Sequence, residues 1–306
     1  MLALTTTSVR PYIELTTVRD PTPLPGQALV RVRAVSLNRG EVTGLADRPA
    51  GSTIGWDAAG VIERAAADGS GPGQGTRVVG LVDAGGWAQL AAISTTRLAV
   101  IPDHVPDAQA ATLPTAGLTA LRALELGGFV LGKRILITGA TGGVGRFAIQ
   151  LARAGGAHVT ALVRDGVAAS ELLRRLGAAD VVDTISGEFD LIVDAVGGAT
   201  FGLAIEHLAP RGMVVNLATC SEEETVTFKA ARFEHAKGAR VYTFNLLDEV
   251  ASYGGVGSDL TRLCTLLADG RLDGQIELEA SWRDAARALD ALIGRRIGGK
   301  AVLHVD

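Results

Sequence analysis

Four glycines, Gly139, Gly142, Gly143 and Gly145, stand within seven residues of one another in a chain of 306. Before them runs an apolar stretch, residues 135–138, of the length of a buried strand. After them the spacing turns helical, with Val144, Ala148, Leu151 and Ala152 on one face. A β-rich run at 159–163 completes a strand–helix–strand unit. Glycines at such a turn let the backbone bend sharply and come close to a pyrophosphate. The new helix then directs its free N–H groups and positive dipole end at that anion. A glycine pattern alone is weak, and its place after a strand and before a helix is what ties it to dinucleotide binding. The bland alternative is a glycine-rich loop that only lets a helix pack on a sheet. On the dinucleotide reading, a side chain at Gly142 or Gly143 collides with the pyrophosphate or forces an unfavourable backbone angle.

The second strand of this unit ends in Val163 and Arg164. A site for NAD usually carries Asp or Glu there, on the ribose 2′-OH. An arginine instead pairs bidentately with a 2′-phosphate. Two alternatives stay open: a solvated arginine beside Asp165, or Asp165 as a displaced ribose-binding acid. Metal chemistry has little support. The histidines, His104, His158, His207, His235 and His304, form no i, i+4 pair, and Cys220 and Cys264 lack metal-type spacing. Catalytic zinc takes about three protein ligands, so no metal site is expected.

These groups need a scaffold, and the composition allows one. Hydrophobic residues make up 47% of the chain and charged residues 20%, enough for a packed core without staples. The length suggests about two domains. Net charge is −4 with no basic patch, which argues against a nucleic-acid partner. No apolar run approaches the ~18 residues of a membrane helix. The first residues lack a charged n-region and an apolar core, so no signal peptide is expected. The two cysteines suit a reducing, cytoplasmic setting. Residues 1–114 read as short strands and turns, among them the alternating run 29–35, a small and mostly β domain of barrel type. From residue 107 helical spacing appears, at 107–113 and 115–126. Helices and strands then alternate: helix 168–176, strands 180–182 and 191–194, helix 201–208, strands 213–217 and 240–244. That alternation argues an α/β fold with a doubly wound parallel sheet. A helix at 260–267 closes it. The tail, with strands at 276–278 and 301–305 around a helix at 282–292, lies outside the six-strand count and is expected to return to the first domain.

Motifs along nearly the whole chain carry a family likeness. They are VRVRAVSLNRGEV at 30–42, GWDAAGVIE at 55–63, GTRVVGL at 75–81, GGWAQLAAIS at 85–94 and ATLPTAGLTALRAL at 111–124. GATGGVG at 139–145, LGAADVVD at 176–183, FDLIVDAVGG at 189–198 and GKAVLHV at 299–305 follow. Together they resemble the medium-chain dehydrogenase/reductase superfamily, and within it the zinc-independent quinone oxidoreductase group. The resemblance implies a Rossmann domain at 118–270. It also implies a GroES-like, mostly β catalytic domain built from 1–117 and 271–306, with substrate and nicotinamide in the cleft. Zinc relatives carry a cysteine in the segment matching 35–42 and a His–Glu pair where this chain has Trp56 and Asp57; neither is present here.

The likeness further implies NADPH as cofactor, a quinone or α,β-unsaturated carbonyl as small-molecule substrate, and a homodimer pairing through residues 240–245. Asn38 matches an asparagine near the nicotinamide that holds a substrate carbonyl or a relay water; a turn-capping asparagine is the alternative. Thr43 falls where many relatives carry a tyrosine, so the proton comes from water or through Thr43 or Glu41. Thr119 matches a cofactor-contacting threonine. With Gly139, Thr141, Gly142, Gly143, Val144, Gly145 and Arg164, the cofactor set takes in Val196, Leu217, Ala218, Thr219 and Phe244. Of these, Val196, Leu217, Ala218 and Thr219 sit after strands whose carboxyl ends bind ligands in such sheets. Phe244 flanks the nicotinamide or packs in the core. Trp56 and Trp87 line an aromatic-accepting pocket or are simply core. An enoyl-thioester or polyketide enone reductase, and a non-catalytic NADPH-binding redox sensor, are the rival functions.

Overall fold

The computed structural model describes residues 1–164, 166–218 and 223–306, and only the backbone of residues 166–168. Two compact units emerge, Met1–Leu118 with Val250–Asp306, and Thr119–Glu249.

The second unit is built on six parallel strands. Their order is Asp180–Val182, His158–Leu162, Arg134–Ile137, Phe189–Asp194, Leu208–Asn216 and Arg240–Thr243. This is the doubly wound order, and its direction reverses between Arg134–Ile137 and Phe189–Asp194. Continuous apolar runs make such strands because helices cover both faces of a parallel sheet. Ile135, Leu136, Ile137, Leu191, Ile192, Val214 and Val215 are accordingly fully buried. The helix Gly143–Ala154 buries Ala148, Leu151 and Ala152 of the expected face but leaves Val144 half-buried, and it buries every residue from 145 to 152, because it is enclosed on more than one side. The expected helix 201–208 is Gly198–Glu206. Its last position belongs to the next strand, because Leu208 pairs with Phe189 in the sheet. Helices Ala230–His235 and Leu246–Tyr253 carry no strong sequence signal.

The first unit centres on the eleven-residue strand Gln27–Leu37, which pairs antiparallel with Asp57–Arg64, Leu90–Ser94 and Lys300–His304. Its Val30 and Val32 are buried between exposed Arg31 and Arg33, the period of a half-buried strand. Arg77–Leu81, Leu98–Val100 and Ile276–Ser281 extend the sheet, and Leu2–Thr6 forms a hairpin with Ile13–Thr17. Trp87, Trp282, Ile62, Ile93 and Leu303 fill the core. The return to this unit comes at Val250, not at residue 271. The helix Gly257–Ala268 packs on Leu98–Val100 and on a π-helical turn, Leu113–Gly117, burying Leu263 and Cys264. That π-turn precedes the helix Leu118–Leu126, where one helix from 115 was expected.

Candidate functional site

The glycine turn sits at the carboxyl end of Arg134–Ile137, beside the reversal of strand order. Gly139 takes the left-handed φ of +60°. Gly145 is required by close packing, since a Cβ there would lie 2.5 Å from the Gly139 carbonyl oxygen. Gly142 differs from expectation. It is the N-cap of the twelve-residue helix at φ −78°, with only one contact for an added Cβ, at 3.3 Å. No positive φ therefore demands glycine at 142, and the one group that a Cβ there would meet is the Gly139 carbonyl oxygen. Thr141, Gly142, Gly143 and Val144 are half-buried, and the Gly142 N–H closes the turn on the Gly139 carbonyl at 2.9 Å. A dinucleotide pyrophosphate fits this turn. The Thr141 carbonyl accepts the Arg146 Nε–H at 2.8 Å, which ties the turn to the helix.

Beside the turn lies a polar clasp that sequence reading missed. Asp194 is fully buried at the end of Phe189–Asp194. Its Oδ1 accepts from the Thr138 hydroxyl at 2.5 Å. Its Oδ2 accepts from the Gly197 N–H and the Asn216 Nδ2, both at 3.1 Å. The Thr138 hydroxyl accepts in turn from the Ala195 N–H at 3.1 Å. Burial pushes the Asp194 carboxyl above its usual range, and these donors oppose the rise. The clasp joins the carboxyl ends of three strands and sets the 195–198 loop, leaving Val196 52% exposed at its tip. A carboxylate closing an apolar run, as in FDLIVDAVGG, is the sequence signal that marks it.

Other expected cofactor residues have mixed surroundings. Arg164 is exposed just beyond His158–Leu162, and Leu217 and Ala218 are half-buried after Leu208–Asn216. Thr119 is buried in the helix Leu118–Leu126. Phe244 is 6% exposed, which is the core alternative and leaves little ring for a nicotinamide. Thr219 and Asp165 lie outside the described residues.

In the first unit, Asn38 stands at the hub of a buried charge cluster. Its Nδ2 donates to Glu41 Oε2 at 2.9 Å and to Asp57 Oδ2 at 2.8 Å, and its Oδ1 accepts from Lys300 Nζ at 2.6 Å. Both amide hydrogens are thus given within the unit, so the expected contact to a substrate carbonyl has no free N–H on this side chain. Asp57 Oδ1 accepts from the Thr115 N–H at 2.8 Å and hydroxyl at 2.6 Å, and Lys300 Nζ stands 3.7 Å from Asp57 Oδ2. Glu41 accepts from the Asn38 N–H at 3.0 Å and from the Trp56 N–H at 2.6 Å. Burial, then the charge of Asp57, pushes Glu41 up to about 8. Burial likewise raises Asp57 and lowers Lys300, against their mutual attraction. The lysine opening GKAVLHV and the acid of GWDAAG were visible in the sequence, but not their meeting. Thr43 is exposed, its hydroxyl donating to the Arg39 carbonyl at 3.0 Å. Trp87 is wholly core, whereas Trp56 is half-buried. Among the described residues, no three His, Cys, Asp or Glu side chains group as metal ligands.

Comparisons with known proteins agree with this architecture. A family model described as alcohol dehydrogenase GroES-like domain matches residues 24–103, and one described as zinc-binding dehydrogenase matches 143–254. The mitochondrial NAD(P)H oxidoreductase RTN4IP1 of Bos taurus is 42% identical over 139 residues, 40% of this chain and 35% of that protein. This match therefore spans about a third of that relative's length. The chloroplast envelope quinone oxidoreductase homolog of Arabidopsis thaliana is 32% identical over 233 residues, 67% of this chain and 70% of that protein. An alcohol dehydrogenase superfamily protein from Novosphingobium aromaticivorans superposes with a TM-score of 0.87 at 26% identity, covering 100% of both chains. With a doubly wound nucleotide unit, a GroES-like unit made from both ends of the sequence and these relatives, the chain belongs to the medium-chain dehydrogenase/reductase superfamily, in its quinone oxidoreductase-like group of oxidoreductases.

Proposed function

We propose that the chain is a zinc-independent, NADPH-dependent reductase that passes hydride to a quinone or an activated α,β-unsaturated carbonyl. The observation that carries the reading is the half-exposed glycine turn at a helix N-terminus beside the strand reversal, with Arg164 at the end of the neighbouring strand. A bound nicotinamide supplies the hydride, and a quinone that takes it with one proton becomes a hydroquinone. In this chain Gly139 to Gly145 would receive the pyrophosphate and Arg164 the 2′-phosphate. The Asp194 clasp would hold the 195–198 loop, with Leu217 and Ala218 at the next strand end. Water supplies the proton, with exposed Thr43 as a relay. Glu41 is unsuited to that role, since its oxygens already accept three N–H bonds and it is 2% exposed.

Residue chemistry supports zinc independence. Trp56 offers no metal-binding atom, the segment 35–42 has no cysteine, and Asp57 and Glu41 are engaged with Asn38, Thr115 and Lys300. The relative from Arabidopsis thaliana, named as a quinone oxidoreductase homolog, supports the substrate class. Cys264 is a buried thiol that burial pushes up to about 12, inert and suited to a reducing cytoplasm. The test is NADPH oxidation across quinones, enones and enoyl thioesters, before and after exhaustive chelation. Turnover with quinones or enones that survives chelation supports the reading. Turnover only with thioesters assigns the rival reductase, and NADPH binding without turnover assigns a redox sensor. One stoichiometric, activity-linked zinc ends the metal-free assignment.

A further inference from the structure

A cavity of about 490 Å³ opens in the second unit, at the amino ends of the strands His158–Leu162 and Asp180–Val182. The glycine turn lies at the other edge of the same sheet. The helix Gly143–Ala154 carries that turn at its start and Arg153 near its end, about 18 Å apart at ~1.5 Å per residue. Six of the nine residues lining the cavity are glycine or alanine, and the other three are Arg153, His158 and Arg174. Among the described residues, no carboxylate, no branched aliphatic side chain and no Phe, Tyr or Trp lines it.

The ordinary task of an arginine in the last turn of a helix is to bond the carbonyls left free there. Here backbone N–H groups have taken them. The carbonyls of Leu151, Ala152 and Arg153 accept from Gly155, Ala157 and Gly156, each at 3.0 Å. Those of Leu173 and Arg174, ending the helix Gly166–Leu176, accept from Ala178 and Gly177 at 2.9 and 3.0 Å. Among the described residues, neither the Arg153 nor the Arg174 guanidinium has a hydrogen bond or a carboxylate at ion-pair distance. The Arg153 stem is laid across Gly177, which holds a φ of +113°; a Cβ there would lie 2.6 Å from Arg153 Cγ. His158 Nε2 meets Asp180 Oδ2 at 2.7 Å, which fixes the ring and employs that carboxylate. Two guanidinium forks thus face one cavity with no internal acceptor, and such forks match phosphate oxygens. The lining gives a base, an acyl chain or a flat ring no apolar wall to bury against, so the fit is to a compact oxyanion.

We propose that this cavity is a second anion site, for a small phosphorylated molecule held by Arg153 and Arg174, separate from the seat of the dinucleotide. The site stands whether or not the chain is a reductase.

The probe is inorganic pyrophosphate, titrated by calorimetry at low ionic strength into the parent and into Arg153→Gln, Arg174→Gln and Arg164→Ala chains. Each of the first two variants should bind it about ten- to a hundredfold more weakly, the loss of one charge-assisted contact. Both should keep the parent affinity for NADPH. The two arginines sit on different helices, so a fold defect in one variant, seen as a lowered Tm, leaves the other to decide. Pyrophosphate also suits the glycine turn, so its place is read separately. The His158 ring signals in NMR should move on titration of the parent and of Arg164→Ala, and stay still in the Arg153→Gln, Arg174→Gln double variant. No binding to the parent, His158 signals that stay still while heat is released, or equal affinity in all chains would overturn the site. A loss confined to Arg164→Ala would put the anion at the glycine turn and overturn it as well. Sulfate bound as tightly as pyrophosphate would reduce the cavity to general anion attraction and end the phosphate assignment.

Discussion

Arg164 is exposed two residues beyond the strand His158–Leu162, and in the proposed function it receives the 2′-phosphate of NADPH. Removing one charge-assisted contact costs about 1.5–3 kcal/mol. At ~1.4 kcal/mol per tenfold, Arg164→Ala should weaken NADPH binding about ten- to a hundredfold and leave NADH unchanged. Higher salt should weaken NADPH more than NADH in the parent, because it screens the exposed pair. Titration of both cofactors decides the matter: equal losses would make Arg164 a fold residue, and a parent that prefers NADH would reject the assignment. The glycines separate differently. An added Cβ at Gly145 would lie 2.5 Å from Gly139 O and 2.8 Å from Ala140 Cα, backbone atoms that cannot yield without opening the turn. Gly145→Ala should therefore cost about 1–3 kcal/mol of stability, seen as a lowered Tm. Gly142→Ala, with φ at −78° and one tight contact at 3.3 Å, should lower Tm less than Gly145→Ala does and lose NADPH affinity beyond that stability change. Parent affinity in Gly142→Ala would remove the turn from the cofactor site.

The short helix Arg39–Thr43 is too brief to hold itself. The buried cluster holds it, through Asn38 and Glu41, against the strands that carry Asp57 and Lys300. Asp57 is the carboxylate at ion-pair distance from the ammonium, 3.7 Å from Lys300 Nζ, so Lys300→Met leaves it without that counter-charge. Breaking a buried pair in this way costs about 3–5 kcal/mol, and the denaturant midpoint should fall accordingly, with the helix the first element to lose protection from hydrogen exchange. An unchanged midpoint would show that the cluster contributes no net stability. The cluster also predicts a pH dependence. Glu41 sits above its ordinary value of 4.5, at about 8, so the folded chain binds that proton more tightly than the unfolded chain does. Its stabilisation is complete below the unfolded value and is lost as pH rises towards 8. Between about pH 5 and 8 the Tm of Glu41→Gln, which cannot ionise, should fall less than that of the parent. Asp194, also raised, contributes the same sign in both proteins. Parallel pH profiles would remove Glu41 as the titrating group.

At the scale of the whole molecule, the strand Arg240–Thr243 is the outer edge of the six-stranded sheet, and Val241 on it is 47% exposed. A free edge with an exposed β-branched residue is a natural pairing site. We expect a symmetric homodimer through it, and Val241→Pro should shift light scattering to the 31.5 kDa monomer. A parent that is monomeric at high concentration would refute this assembly. The parallel sheet, the glycine turn and the alternating strand 29–35 were legible in the sequence, because each follows from a local period of 2 or 3.6 residues or from the backbone freedom of glycine. Sequence likewise carried the expectation of no zinc site, from the missing cysteine at 35–42 and Trp56 where zinc relatives have histidine. Tertiary structure decided what no local period records. Asn38 meets Asp57 across 19 residues and Lys300 across 262, because Gln27–Leu37 pairs on one side with Asp57–Arg64 and on the other with Lys300–His304. Strand register also decided that Asn38 gives both amide hydrogens to the buried side chains of Glu41 and Asp57, and packing decided that Trp87 is core while Trp56 is half-buried. Burial and charge pairing are sums over neighbours distant in sequence, and only the folded chain brings those neighbours together.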